Sequence, residues 1–334
     1  MGGWTATGLA EVDHDPRVLD RGGRWAVTVS FEGRPTMARF ETWERRPPRP
    51  DEMGPWVGPD PSSWSTSLDE PTYVRAVDAV RGHIARGEVY QANICRVMRT
   101  PLDPRCDVVA LHERMRTGNP APYGGALRLP EAGTHICSAS PELYLRRSAD
   151  RLESGPIKGT GRLPEDLLAK DRAENIMIVD LVRNDLGRIC RTGSVVVPGL
   201  LEVESHPGLV HLVSTVAGNL NPGTGWRDIL AATFPPGSVT GAPKLAALDI
   251  IRALESGPRG PYCGAFGWVD ADAGTAELAV AIRTFWREEA DSGPLLAFGT
   301  GAGITWDSDP TAEWAETQLK AQRLLAVASD REVM

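Results

Sequence analysis

Ala276-Glu277-Leu278-Ala279-Val280-Ala281-Ile282-Arg283-Thr284-Phe285-Trp286 is the stretch on which the fold of this 334-residue chain turns. Its apolar run reads as a strand over 276–286, and strand-like runs stand on either side of it, at 262–269 and 295–300. Three strands therefore follow one another with no helix between them. Strands in clusters, separated by helices elsewhere, predict an α+β layered sandwich rather than a strict βαβ alternation. Arg283 interrupts the apolar run. A guanidinium in such a strand is costly unless paired, and both a structural salt bridge and a bidentate carboxylate ligand meet that need.

Outward from this stretch, Asp309-Pro310 supplies an N-cap and first-turn proline for a last helix running to about Ala328. Helices are also predicted at about 226–234 and 242–256. The run Pro164 to Asp185 reads as a helix with Leu168, Ile176, Met177, Leu181 and Val182 as core candidates. From Pro71, Val74, Val77, Val80 and Ile84 recur at helical spacing, and Gly87 stands where a helix C′ residue is expected. A strand through Val89 to Met98 and strands around 124–147 follow. Residues 1–66 are rich in Pro, Gly, Arg and Trp, with one strand-like run at Trp25–Phe31 and a proline-rich break from Pro47 to Pro61. They read as a short divergent N-terminal region packing on the core, with residues 67–334 expected to form the main domain.

Composition narrows the function. With 41% hydrophobic and 24% charged residues the chain has material for a core. A net charge of -8 and the lack of a basic block argue against nucleic acid or an anionic membrane surface as partner. No leader-like start and no run of roughly 18 apolar residues is seen, so a cytoplasmic location is expected. The five cysteines are odd in number and widely spaced, which fits small buried residues better than a disulfide framework or a zinc site.

Only four lysines occur against thirty-two arginines. Where arginine serves as the generic cation, a retained lysine marks a position that needs a compact, deprotonatable ammonium. Lys158 lies in the glycine-bracketed loop Pro156-Ile157-Lys158-Gly159-Thr160-Gly161-Arg162, and Lys244 and Lys320 also fall in motif-like stretches. Asp171 with Glu174, and Glu313 with Glu316, are carboxylate pairs three apart on predicted helices, so each pair shares a face. A solvated acidic face and a hard divalent cation both account for them, and magnesium suits an all-oxygen set better than zinc. Gly299-Thr300-Gly301-Ala302-Gly303 forms a glycine loop whose N–H groups are available to an anion. Phe234 to Lys244 is a second loop, entering a helix whose N-terminus suits a carboxylate or phosphate.

Taken together these segments resemble the chorismate-utilizing enzymes. Gly87-Glu88-Val89-Tyr90-Gln91-Ala92-Asn93, Ser138-Ala139-Ser140-Pro141-Glu142, PIKGT at 156–160, Glu174 to Asp185, His211-Leu212-Val213-Ser214, the Thr240 to Lys244 loop, Arg283, the glycine loop and EWAET at 313–317 occur in that family's order. The resemblance spans about residues 68–326. It implies the layered α/β/β/α sandwich of the anthranilate synthase component I type. Members that add water to chorismate carry a lysine base where this chain has Gln91, and an amide cannot deprotonate water. Anthranilate synthases have alanine in place of Lys158. The PIKGT form is similar to that of the branch which aminates chorismate at C4, the aminodeoxychorismate synthases.

That resemblance implies roles. Lys158, as a neutral amine, is the nucleophile toward C2, with Glu142 as general acid and base. Glu174 and Glu316 are magnesium ligands, assisted through water by Asp171 and Glu313, and the ion neutralises the ring carboxylate. Arg283, Tyr262, Lys320 and the backbone of Gly301, Ala302 and Gly303 grip the substrate carboxylates. Gln91, Thr240 and His211 line the pocket, with His211 either a catalytic group or a satisfied core histidine. The Leu-Leu-Glu-Ser stretch with which longer members bind tryptophan is lacking in residues 1–66, and no G-x-C-x-G elbow marks a fused glutaminase. Ammonia is therefore expected from solution or from a separate glutamine amidotransferase chain.

Overall fold

In the computed structural model, which describes residues 2–161, 163–167, 169–206 and 209–329, the stretch 276–286 is two strands and not one. Thr275–Val280 ends one strand, Thr284–Ala290 begins the next, and Arg283 between them takes φ +52°. The two strands belong to different sheets. Apolar composition alone could not show this break, because both halves are buried.

In chain order the strands are β1 Trp4–Asp13, β2 Arg24–Val29, β3 Pro35–Arg45, β4 Ser65–Thr66, β5 Gln91–Pro101, β6 Tyr123–Leu129, β7 Thr134–Ser140, β8 Leu143–Ser148 and β9 Arg151–Gly155. They continue as β10 Ile157–Gly161, β11 Val196–His206, β12 Leu209–Asn219, β13 Gly241–Ala242, β14 Ala265–Asp270, β15 Thr275–Val280, β16 Thr284–Ala290 and β17 Gly293–Ile304. The helices are α1 Glu70–Ala85, α2 Val108–Gly118, α3 Ala169–Gly187, α4 Trp226–Thr233, α5 Lys244–Leu254 and α6 Pro310–Ala328. Among the described residues the larger sheet runs β1-β3-β2-β14-β15-β8-β9-β12-β10, with β11 on β12. The smaller runs β13-β5-β17-β16-β7-β6, with β4 on β5.

The main core lies between the sheets, where Val27, Val29 and Leu145 of one meet Cys95, Val97, Leu127 and Ile136 of the other. Helices α2 and α6 cover the outer face of the smaller sheet with Leu111, Met115, Ala321 and Leu324. Helices α1 and α5 cover the same face beside them through Tyr73, Val77, Ala247 and Ile250. Ile178, Val179 and Val182 of α3 join Trp226 and Ile229 of α4 in the main core. The order is helix, sheet, sheet, helix, as expected.

Asp309 caps α6 by accepting from the Ala312 N–H at 2.8 Å, and Gly87 adopts φ +75° just past α1. Helix α3 departs from the sequence reading. Its buried face is Asn175, Ile178, Val179, Val182 and Leu186, whereas Ile176 points outward, and Leu168 lies outside the described residues. Helix α2 and strands β1, β3, β9, β11 and β12 lie where the sequence pattern predicts no element. In residues 1–66 the strands β1 and β3 flank β2, and β2 hydrogen-bonds to β14, extending the larger sheet. All five cysteines are buried and unpaired. Among the described residues no helix is long and apolar enough to cross a membrane.

Candidate active site

Lys158 lies on an edge strand, not in a loop. In β10 it stands opposite Leu212 of β12, and the ladder slips between Lys158 and Thr160. At the slip Gly159 takes φ +79°, and a Cβ there would come within 2.8 Å of the Asp171 Cβ. Glycine is required both by the backbone conformation and by the approach of α3. The bulge brings the Lys158 Nζ to 3.9 Å from Glu174 Oε2, and Nζ donates to the Ser238 carbonyl at 3.1 Å.

Glu142, between β7 and β8, is buried. Burial pushes its carboxyl up to about 7, against the Ser238 hydroxyl, the Lys158 charge and the Ile157 N–H, which pull the other way. Ser238 thus touches both groups, through its hydroxyl to Glu142 and through its carbonyl to Lys158. The turn carrying it is held from below by the buried Arg259, which donates to the carbonyls of Val239 at 2.9 Å and Asn93 at 3.0 Å. His211 is buried on β12 opposite Thr160 of β10.

The four carboxylates lie on α3 and α6, but three of them are already engaged by ammonium groups. Lys170 reaches Glu313 Oε1 at 3.1 Å and Glu174 Oε1 at 3.8 Å, and Lys320 reaches Glu316 Oε1 at 2.7 Å. Ser308 Oγ also donates to Glu313 Oε1 at 2.6 Å. Burial raises the Glu174 carboxyl above its ordinary range, and Lys158 and Lys170 only partly offset it. Burial pushes Glu316 up as well, but Lys320, then Lys170 and Lys158, more than compensate and leave it lowered. Among the described residues no three acidic or imidazole side chains converge as an ion's ligand shell. Their chemistry is nonetheless that of a hard-cation site, oxygen donors on two helices with an ammonium standing between them.

Opposite, the strands of the smaller sheet offer groups without partners. The guanidinium of Arg283, at the crossing between the sheets, forms no hydrogen bond or ion pair among the described residues, and burial lowers its pKa, while the Arg283 carbonyl accepts from the Ala139 N–H at 3.0 Å. Gln91 is fully buried, its Oε1 has no hydrogen-bond partner, and its Nε2 lies 3.4 Å from Asn93 Oδ1. A Cβ on Gly303 would sit 2.2 Å from Gln91 Nε2, and one on Gly299 would enter the Tyr262 ring at 2.0 Å. The expected glycine loop is the end of β17, paired along one edge to β5. Pairing of β17 with β16 stops at Phe298, so among the described residues the other edge from Gly299 onward carries no strand. Lys320 Nζ donates to the Gly301 carbonyl at 3.1 Å, and Ala302 is buried among α1 side chains. Thr240 is buried, with its hydroxyl donating to the carbonyls of Pro236 and Gly237.

Sequence reading did not single out Lys170 or Ser238. The scarcity of lysine was the available signal for Lys170, since it is one of only four. Lys244, by contrast, is a structural cation: its Nζ lies 2.6 Å from Asp185 Oδ2 and donates to the Thr233 carbonyl.

A buried acid beside a lysine, a guanidinium without a side-chain partner and carboxylates on two facing helices are the site's chemical elements among the described residues. The chain belongs to the chorismate binding enzyme family, whose pattern matches residues 13–326. It is 38% identical to an aminodeoxychorismate synthase from Streptomyces pristinaespiralis, over 98% of this chain and 48% of that protein. It is also 38% identical to an anthranilate synthase component 1 from Haloarcula marismortui, over 83% and 57% respectively. The chain therefore spans about half the length of these curated relatives. The crystal structure of anthranilate synthase component I from Streptococcus pneumoniae superposes with TM-score 0.75 at 25% identity, covering 96% of this chain and 83% of that one.

Proposed function

We propose that this chain aminates chorismate with ammonia to give 4-amino-4-deoxychorismate. The observation that carries this reading is Lys158, held beside a carboxyl poised near neutrality and joined to it through Ser238. The aminodeoxychorismate synthase relative supports it by matching across 98% of this chain, against 83% for the anthranilate synthase.

Arg283 and the open edge of β17 receive carboxylates of the substrate, and Glu142 takes a proton from Lys158. The neutral amine attacks C2 as the C4–O bond breaks, and Glu142 returns the proton so that water leaves. Ammonia then bonds to C4, the C2–Nζ bond breaks, and the proton shed by the new amine returns to Lys158. The reaction consumes chorismate and ammonia and releases the aminated ring and water. Glu174 and Glu316, with Asp171 and Glu313, would hold Mg²⁺, which supplies positive charge for the ring carboxylate. Gln91, an amide, orients a small neutral nucleophile through its free carbonyl and does not activate water. Ammonia comes from a separate glutamine amidotransferase or from solution, and the product serves 4-aminobenzoate and folate synthesis or another aromatic-amine pathway.

The equal identity to anthranilate synthase favours a second reading, amination at C2 to give anthranilate. Incubation with chorismate, Mg²⁺ and ammonium, followed by mass and absorbance of the product, separates the two. Anthranilate or isochorismate as the main product overturns the proposal, and so does glutamine-dependent turnover by the purified chain alone.

A further inference from the structure

Lys170 stands on the first turns of α3, and its ammonium bridges to α6, with Glu313 Oε1 at 3.1 Å and Glu174 Oε1 at 3.8 Å. Helix stability does not explain this placement: lysine four residues before glutamate is the weaker order for a helical pair, and the shorter contact is to the other helix. Glu313 is fixed independently by the Ser308 hydroxyl. Lys158, Lys170 and Lys320 lie against Glu174, Glu313 and Glu316. A dication that takes up Glu174 and Glu313 as ligands must displace the ammonium already lying against both of them. Of the three lysines, Lys158 is the most buried, its side chain 12% exposed, and Lys320 is anchored outside on Glu316 and the Gly301 carbonyl. Lys170, 36% exposed, alone spans carboxylates of both helices, which is where an ion joining α3 to α6 would bind.

We propose that Lys170 is a built-in counter-cation that holds Glu174 and Glu313 together in the metal-free protein and withdraws to solvent when a divalent ion binds. This rests on the reading of the α3–α6 carboxylates as a metal site. Lys170 is then a positioning residue, and it sets the affinity for the ion in the absence of substrate. An ion must outcompete a tethered ammonium, and the site is kept from collapsing by carboxylate repulsion while it waits.

Calorimetric titration of Mg²⁺ into the chorismate-free chain tests this. Lys170→Met should bind Mg²⁺ at least about fivefold more tightly than the parent, the low end of ordinary coupling between sites. Lys170→Arg, which keeps the cation, should show no such gain. Equal or weaker binding by the methionine variant overturns the role. A second measurement needs no variant. Peptide-resolved amine labelling of the parent should show Lys170 modified several-fold faster at saturating Mg²⁺, and an unchanged or slower rate also overturns it. If neither heat nor any labelling change accompanies Mg²⁺ in parent and variants alike, with chorismate present or absent, the metal site itself is refuted and this role with it.

Discussion

On the α3–α6 side of the site, Glu174, Glu313 and Glu316 each lie against an ammonium, whereas on the strand side the Arg283 guanidinium and the Gln91 side-chain carbonyl have no partner among the described residues. On the first wall these three glutamates already have cationic partners, and on the proposed reading they must exchange them to bind an ion. The second is incomplete and held so by the fold: Gly303 leaves room for Gln91, and the left-handed turn at Arg283 sets the guanidinium at the crossing between the sheets. An unpaired, desolvated cation gains most from a carboxylate that brings its own charge. On the proposed reading the strand wall supplies most of the binding specificity, and the lysine and acid facing α3 the chemistry.

The largest effect expected from breaking this division is at Lys158. Lys158→Ala should lower kcat with ammonium by about a thousandfold or more while chorismate affinity stays near the parental value, because recognition lies on the other wall. Lys158→Arg should fail equally, since a guanidinium stays protonated. Intact-mass analysis after incubation with chorismate alone should show an adduct on the Lys158 peptide, absent from Lys158→Ala. Near-parental turnover by the alanine variant would reduce Lys158 to an electrostatic group.

Next, Glu142→Gln should cost about a hundredfold to ten-thousandfold in kcat, the usual range for an acid–base group. It also has a stability signature of defined sign. A carboxyl at about 7 in the folded chain, against 4.5 when unfolded, binds more protons folded, so stability falls as pH rises through that window. The glutamine variant escapes this loss. It should be more stable than the parent by up to about 3 kcal/mol at pH 8 and show no such gain at pH 4. Denaturant melts at the two pH values check this, and an equal difference at both refutes the shifted carboxyl.

Arg283→Ala is the converse experiment on the strand wall. Loss of a charge-assisted contact of about 2–3 kcal/mol should raise KM for chorismate by roughly 30- to 150-fold with a smaller change in kcat. A kcat-only effect would show that the unpaired guanidinium does not receive the substrate.

The smallest change in rate, though a change in product, is expected from Gln91→Lys. An amine in place of the free carbonyl supplies a base for water, so some isochorismate should accompany the aminated product by chromatography and mass. Its absence sharpens the assignment by showing that water must be positioned from elsewhere.

What the chain encodes locally was legible. Asp309-Pro310 caps α6, Gly87 ends α1, and the ordered motifs from Gly87 to EWAET identify the family, because each signal is carried by a few adjacent residues and their backbone preferences. Of the side chains expected at the site, Lys158, Glu142 and Glu174 lie together. Other features only the tertiary structure decided. Residues 276–286 divide between two sheets at the left-handed turn of Arg283, which composition could not show because both halves are apolar and buried. PIKGT becomes an edge strand because β12 pairs with it, and the bulge at Gly159 exists because Asp171 must pass. Lys170 finds Glu313, 143 residues away, only once α3 and α6 are brought together across the site. Periodicity and spacing record a residue's neighbours along the chain. Which charges face one another is set by the docking of sheets and helices, and there the lysine–carboxylate pairing was decided.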